Sequence, residues 1–346
     1  MTNGGAIRAP DQPGERPGRK AEMDSFDDKI AVITGGGTGM GRELARQLAA
    51  AGCHVAICDV SDDNMAQTKA LCDGESPDGV RVTTCIADVS VEDDLLRFRD
   101  SVMREHETDC VHLVFNNAGI GAMVSLIDGD RETWERTFNI CWYGVYYGTR
   151  TFLPMLVAAE EGHIVNTSSV NGFWAALGPT LAHSAYASAK FAVKGFTEAL
   201  INDLAMNAPH VKASVVMPGH IGTSIVANSG KVLGTDPKEL SDQEMDEMRA
   251  GLERRGIELG GATNEQIRQG LIQQADSFRD EAPTTAGEAA TIILDGVKAG
   301  RWRILVGEDA RVLDELVRAD PEGAYTQEFY DRLREATNWR LGQLSS

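Results

Sequence analysis

A chain of 346 residues, 42% hydrophobic and 25% charged, has the length for a substantial core and the composition of a globular protein. Its 52 acidic against 33 basic residues leave a formal net charge of −19. That balance argues against nucleic acid or an anionic membrane as a partner, because neutralising phosphate needs clustered Lys and Arg. No stretch approaches the roughly 20 consecutive apolar residues of a membrane span.

Residues 1–24 are rich in Gly, Pro and Arg and lack an apolar signal-like run, so they are expected to form a disordered tail rather than a signal peptide. From Lys29 onward, short β-branched runs alternate with helical stretches. Ile30–Thr34 reads as a strand, followed by a glycine-rich turn and a helix ending near Ala51-Gly52. His54–Cys58, Arg81–Ile86, Val111–Phe115, Ile164–Thr167, Ala213–Met217 and Ile304–Val306 continue the strand series. Strands separated by helical patterns imply βαβ crossovers, and their unbroken hydrophobicity implies burial on both faces. The expected fold is α/β, a Rossmann-type doubly wound parallel sheet of about seven strands in a three-layer sandwich, spanning residues 25–307.

Residues 224–283 break the rhythm. They contain no strand pattern and carry two capping-box signatures, Ser241 with Glu244 and Thr263 with Gln266. Met245, Met248 and Leu252 give the first of these helices an apolar stripe; Ile267, Leu271, Ala275 and Phe278 give the second. Such stripes either dock on the core or form a lid over a substrate. Residues 308–346 read as a helical C-terminal extension, with Tyr325, Phe329, Tyr330 and Trp339 available for burial.

The six cysteines, Cys53, Cys58, Cys72, Cys85, Cys110 and Cys141, form no CxxC pair or zinc-like spacing. They fit a reducing, cytoplasmic setting. The seven histidines show no HxH or HExxH pattern, so no metal site is expected.

Thr34-Gly35-Gly36-Gly37-Thr38-Gly39-Met40-Gly41 joins the first strand to the first helix. Glycines there let the backbone turn tightly and approach a pyrophosphate at the helix N-terminus. Asp59 ends the second strand, where a carboxylate can accept from the adenosine ribose hydroxyls and repel a 2′-phosphate. No Lys or Arg directly follows Asp59 to neutralise such a phosphate, and Arg42 stands on the first helical turn. The cofactor expected is therefore NAD. Tyr186-Ala187-Ser188-Ala189-Lys190 places a phenol and an amine on one helix face. A lysine so placed favours the phenolate, fitting tyrosine for proton exchange with an alcohol or carbonyl.

Together these residues resemble the short-chain dehydrogenase/reductase family, from about Phe26 to Gly307. The matching motifs are Thr34-Gly35-x-x-x-Gly39-x-Gly41, Asp88-Val89, Asn116-Asn117-Ala118-Gly119, Ser168-Ser169, Tyr186 with Lys190, and Pro218-Gly219-His220-Ile221-Gly222-Thr223. The resemblance implies that Gly35, Thr38, Gly39, Met40, Gly41, Asp59, Asp88, Val89, Asn116, Ala118, Pro218, Gly219, Ile221 and Thr223 bind cofactor alongside Tyr186 and Lys190. It implies that Ser169 polarises the substrate oxygen, Tyr186 exchanges its proton, and Lys190 orients the ribose and tunes Tyr186. Ser169 is preferred to Ser168 because Val170-Asn171-Gly172 follows it, as in the family pattern. The expected reaction is reversible hydride transfer between NAD(H) and a moderately large, apolar secondary alcohol or ketone. Family members commonly form dimers or tetramers through helices corresponding to Thr133–Leu156 and Tyr186–Ala205.

Two features depart from the family pattern. Cys141 stands three residues before Gly144, where the family places an asparagine. Asn139 is two positions away, roughly 200° around a helix, and is no simple substitute. No nearby histidine supports Cys141 as a nucleophile. The Ser169–Tyr186 segment is long, and its Phe173, Trp174 and Leu177 either line an apolar pocket or fill core. His183 and His220 flank the expected cleft, where they could touch substrate. A non-catalytic NAD-binding sensor or scaffold, and a dehydratase or epimerase on the same scaffold, are the rival readings.

Overall fold

A computed structural model describes residues 23–127, 129–178, 181–254, 257–337 and 339. Its centre is a seven-stranded parallel sheet of β1 (Ile30–Thr34), β2 (His54–Asp59), β3 (Val82–Ile86), β4 (Leu113–Asn116), β5 (Gly162–Thr167), β6 (Val211–Pro218) and, after a two-stranded ribbon, β9 (Arg303–Val306). The strand order is β3-β2-β1-β4-β5-β6-β9. The ribbon pairs β7 (Ile221–Gly222) with β8 (Thr284–Thr285), also in parallel. The strand order reverses between β1 and β4, and in such sheets the crevice at that switch point holds the ligand.

Helices cover both faces, as two-sided burial requires. One layer buries α1 (Gly39–Ala50) and α10 (Ala286–Lys298) against the sheet through Leu44, Leu48, Ala289 and Ile293. The other buries α3 (Glu92–His106), α5 (Gly144–Ala158) and α6 (Ser184–Asn207) through Phe98, Phe152, Ala189 and Leu204. α2 (Asp62–Glu75) starts where Ser61 accepts from the Asn64 amide, with Asp62 and Asp63 at the positive end of the helix dipole. α4 (Arg131–Phe138) starts on Asp130, which accepts from the Thr133 amide. Between α4 and α5, residues Asn139–Tyr143 widen into a π-helical turn.

The 224–283 segment forms α7 (Ile225–Val232), α8 (Asp242–Arg254) and α9 (Asn264–Asp280). Both expected capping boxes are made: Ser241 and Glu244 exchange amide bonds, as do Thr263 and Gln266. Met245 and Ile267 are the buried members of the two stripes. Helix α9 contacts α7, α8 and β7.

The C-terminal stretch folds as α11 (Glu308–Ala319) and α12 (Gln327–Thr337). It builds a third core with the long segment that follows β5. Phe329, Leu333 and Trp339 enclose Trp174, whose ring lies 5.8 Å from Phe329 and 5.9 Å from Trp339. The Trp174 indole donates to the Ala324 carbonyl at 2.7 Å, and that of Trp339 to the Leu177 carbonyl at 3.0 Å. Phe173 and Leu177 pack on the same cluster. These three side chains therefore fill core, which corrects their use as a sign of an apolar substrate pocket. Of the expected tail, residues 1–22 lie outside the described residues, and Met23 is buried in the core.

Candidate active site

Glycines shape the loop after β1. Gly35 holds φ at +67°, and a Cβ there would lie 2.8 Å from the Ala118 Cα. A Cβ on Gly41 would fall 2.1 Å from the Gly35 carbonyl oxygen. Only glycine allows both the turn and the close approach of α1. Thr34 Oγ1 accepts from the Asn117 and Ala118 amides, both at 3.1 Å, and so ties the end of β1 to that of β4. The two strand ends frame a cleft of about 440 Å³.

Gly35, Thr38, Gly39, Met40, Asp59, Asp88, Val89, Ala118 and Thr223, all expected from the sequence, line this cleft. Gly41 lies beneath it as the close-approach position. Asn116 does not line it: its side chain is sealed in the sheet, donating to Asn166 at 2.8 Å and Thr149 at 3.2 Å. Its neighbour Asn117 takes the cleft position, donating to the Thr34 and Gly35 carbonyls. Pro218, Gly219 and Ile221 also stand off this cleft. Gly219 backs onto the Asp309 carboxylate, and Ile221 is in the core. Asp309 accepts from the His220 amide at 2.7 Å, so the C-terminal extension braces the turn after β6.

Asp59 accepts from the Gly37 amide at 3.0 Å and the Ser61 amide at 3.1 Å, which fixes its carboxylate at the cleft. Arg42 is committed beneath the glycine loop, donating to the Gly37 carbonyl, Thr68 and Asn64. Asp88 meets Arg136 at 2.5 Å and accepts from the Ser90 amide and hydroxyl. Burial would raise the Asp88 pKa, but these donors outweigh it and hold the carboxyl below its usual range. Arg136 also lines the cleft, as do Asn228 and Lys231 of α7. Sequence reasoning missed these three, which carry no local motif. Asn228 donates to Thr38 at 2.9 Å and ties α7 to the glycine loop.

The expected catalytic residues meet at the carboxyl end of β5. Ser169 starts a short 3-10 turn, Val170–Gly172, and its hydroxyl accepts from the Asn171 amide. That hydroxyl lies near enough to the Tyr186 phenol to favour its ionised form. Ser168 is used differently, donating to the Lys190 carbonyl at 2.7 Å in a buried contact. Lys190, 2% exposed, sets its ammonium over the Tyr186 ring, 5.3 Å from the centroid, and donates to the Thr167 carbonyl at 2.9 Å. Burial lowers the Lys190 pKa. Burial also pushes the Tyr186 phenol up, with the Ser169 hydroxyl working against it.

Cys141 sits in the π-helical turn, buried, with its thiol donating to the Ile120 carbonyl at 3.2 Å. Burial pushes the thiol up, which keeps it protonated and unsuited to nucleophilic attack. A Cβ on Gly119 would lie 3.5 Å from the Lys190 ammonium and 3.7 Å from the Cys141 sulfur, so all three share one wall.

A doubly wound sheet, a glycine-framed cleft at its switch point and an adjacent Ser-Tyr-Lys cluster define a dinucleotide-binding oxidoreductase. Residues 29–233 match the family model described as short chain dehydrogenase. The chain belongs to the short-chain dehydrogenase/reductase family. It is 34% identical over 296 residues to the SadH protein of Mycobacterium tuberculosis, covering 86% of this chain and 92% of that protein. It is 30% identical over 224 residues to estradiol 17-beta-dehydrogenase 11 of Pongo abelii, covering 64% of this chain and 72% of the relative. A crystal structure of a short-chain dehydrogenase/reductase from Burkholderia phymatum in complex with NAD superposes with a TM-score of 0.68 at 28% identity. That match covers 88% of this chain and 98% of the other.

Proposed function

We propose that the chain transfers hydride reversibly between NAD(H) and a secondary alcohol or ketone of moderate to large apolar size. The observation that carries this reading is the meeting of Ser169, Tyr186 and Lys190 beside the dinucleotide cleft. A protein that only senses or displays a dinucleotide has no need of a phenol ring beneath a buried lysine and beside a serine hydroxyl.

The cleft fits a dinucleotide. Its glycine loop has no side chain to keep a pyrophosphate away, and α1 begins where the loop ends. Asp59 and Asp88 stand where ribose and adenine would be held. Asp59 would repel a 2′-phosphate, and Arg42, already bonded beneath the loop, is not free to offset that repulsion. NAD is favoured over NADP on that ground. A bound nicotinamide supplies the site that gives or takes the hydride. Ser169 holds the substrate oxygen, Tyr186 exchanges a proton with it, and Lys190 holds the positive charge that orients the ribose.

Support for an apolar substrate comes from Met123, Leu126 and Ile127 in the loop after β4, and Val226 of α7, all exposed on the carboxyl side of the sheet. The relative named for estradiol acts on an apolar alcohol of this kind. Helix α7, which lines the cleft, is the part of the 224–283 insert best placed as a lid, with α8 and α9 behind it. The aromatic cluster of Trp142 and Tyr143 in the π-helical turn, Tyr146 on α5 and Phe196 on α6 is the surface proposed to join two copies in a dimer or tetramer. Among the described residues no helix is long and apolar enough to cross a membrane, and all six cysteines are free, which suits the cytoplasm.

The test is NADH formation from a panel of secondary alcohols graded in apolar size, run with NAD⁺ and with NADP⁺. The reading expects turnover that increases with apolar size and favours NAD⁺. Equal use of NADP⁺, or preference for small polar alcohols, would remove the corresponding part.

A further inference from the structure

His183 is the residue that precedes α6, three positions before Tyr186. Its ring lies 4.7 Å from the Tyr186 ring, centroid to centroid, tilted by 36°. Only 7% of the residue is exposed. Nδ1 lies 3.1 Å from the Ala122 carbonyl oxygen. A carbonyl oxygen can only accept, so Nδ1 carries the proton. Burial lowers the pKa of the ring to about 4, which leaves it neutral near pH 7. Nε2 therefore offers a lone pair and no proton.

Among the described residues no donor is bonded to Nε2. The sealed side-chain atoms without a partner are Asn116 Oδ1, Arg303 Nε and Asp309 Oδ1, and His183 Nε2 is not one of them. Nε2 thus faces accessible space while the rest of the ring is held between Tyr186 and Ala122. A neutral histidine that only filled core would have no reason to keep an acceptor open beside the phenol. A ligand whose reacting oxygen meets Tyr186 can bring a group one or two bonds away against that acceptor.

Resting on the reading of Tyr186 as the acid/base, we infer that His183 Nε2 accepts a hydrogen bond from the substrate. Preferred substrates then carry a second donor, a hydroxyl or N–H, on a carbon adjacent to the reacting carbon or one removed from it. An open, oriented acceptor in a buried wall discriminates by leaving its lone pair unpaired when the donor is missing.

The test compares trans-cyclohexane-1,2-diol, its monomethyl ether and cyclohexanol. Their binding is read by NADH fluorescence in the Tyr186→Phe enzyme with NADH bound, so that no turnover is needed. The diol is expected to bind about five-fold more tightly than the ether, the worth of one net hydrogen bond. Adding His183→Phe should abolish that preference, and adding His183→Gln, which restores an acceptor, should recover part of it. Equal binding of diol and ether, an unchanged preference in His183→Phe, or no binding of any of the three overturns the inference. A His183-dependent preference for the diol, with no oxidation of any alcohol by the unmutated enzyme, would keep the His183 contact and reject the acid/base role of Tyr186.

Discussion

The Lys190 ammonium lies over the face of the Tyr186 ring, 5.3 Å from its centroid, while its proton is shared with the Thr167 carbonyl. The amine thus supports the ring without reaching the phenol oxygen directly, and burial keeps the phenol protonated beyond its usual range. Alcohol oxidation needs the phenolate as base, and ketone reduction needs the phenol as acid. Oxidation should therefore climb steadily from about pH 7 to about pH 9, approaching ten-fold per unit, while reduction stays level. Initial rates in both directions over that range check this, and a level oxidation profile would contradict it.

Asp59 is bonded to the Gly37 and Ser61 amides, so it shapes the loop as well as lining the cleft. Asp59→Ala should weaken NAD⁺ and relieve the repulsion of a 2′-phosphate together. The ratio of kcat/KM for NAD⁺ to that for NADP⁺ is expected to fall at least about ten-fold, the worth of about 1.4 kcal/mol. Steady-state kinetics with both cofactors measure it. An unchanged ratio would place cofactor choice elsewhere.

Three buried histidines make the fold sensitive to acid. Burial lowers His106 and His183 to about 4 and His163 to about 3. Their folded pKa values lie below the unfolded value of about 6.5. The unfolded chain therefore binds the extra protons, and stability present above about pH 6.5 is lost as pH falls toward 4. Each contributes up to about 1.4 kcal/mol per pH unit in that window. Urea midpoints followed by circular dichroism at pH 7, 6 and 5 should fall progressively, and His163→Gln, where it folds, should flatten the trend.

Trp174 couples the segment after β5 to the C-terminal extension through its indole bond to Ala324 and its rings on Phe329 and Trp339. Trp174→Ala should cost about 3–5 kcal/mol, as large-to-small changes in a core do. Because Ser169 lies five residues before it, activity should fall further than the unfolded fraction accounts for. Melting temperature and residual activity, measured on the same sample below the transition, separate the two effects. Full activity with a lowered melting point would show the extension to be a brace for stability alone.

The sheet was legible because its strands are buried on both faces and so read as unbroken apolar runs; all seven fall within two residues of their expected bounds. The glycine loop and the Tyr186–Lys190 pair were legible because each is a local pattern whose geometry follows from spacing. The side chain of Asn116 stands off the cleft because β4 runs one residue past its apolar run. The last strand position turns into the sheet, and Asn117 is the side chain that faces the cleft. Arg136, paired with Asp88 across 48 positions, and Trp174, enclosed by helices about 150 residues later, depend on tertiary contacts that no local window contains. The π-helical turn at Cys141 likewise leaves no mark in the hydrophobic period.

The central claim is that Tyr186 moves the proton while the glycine-framed cleft holds the dinucleotide, and Tyr186→Phe tests it most directly. NADH formation from a secondary alcohol that the unmutated enzyme oxidises would be measured beside the affinity for NAD⁺, read by calorimetry. The account predicts a loss of about 10²–10⁴-fold in kcat with NAD⁺ affinity changed by no more than about three-fold. A variant that keeps its turnover would contradict the account, because the proton would then be moving through some other group.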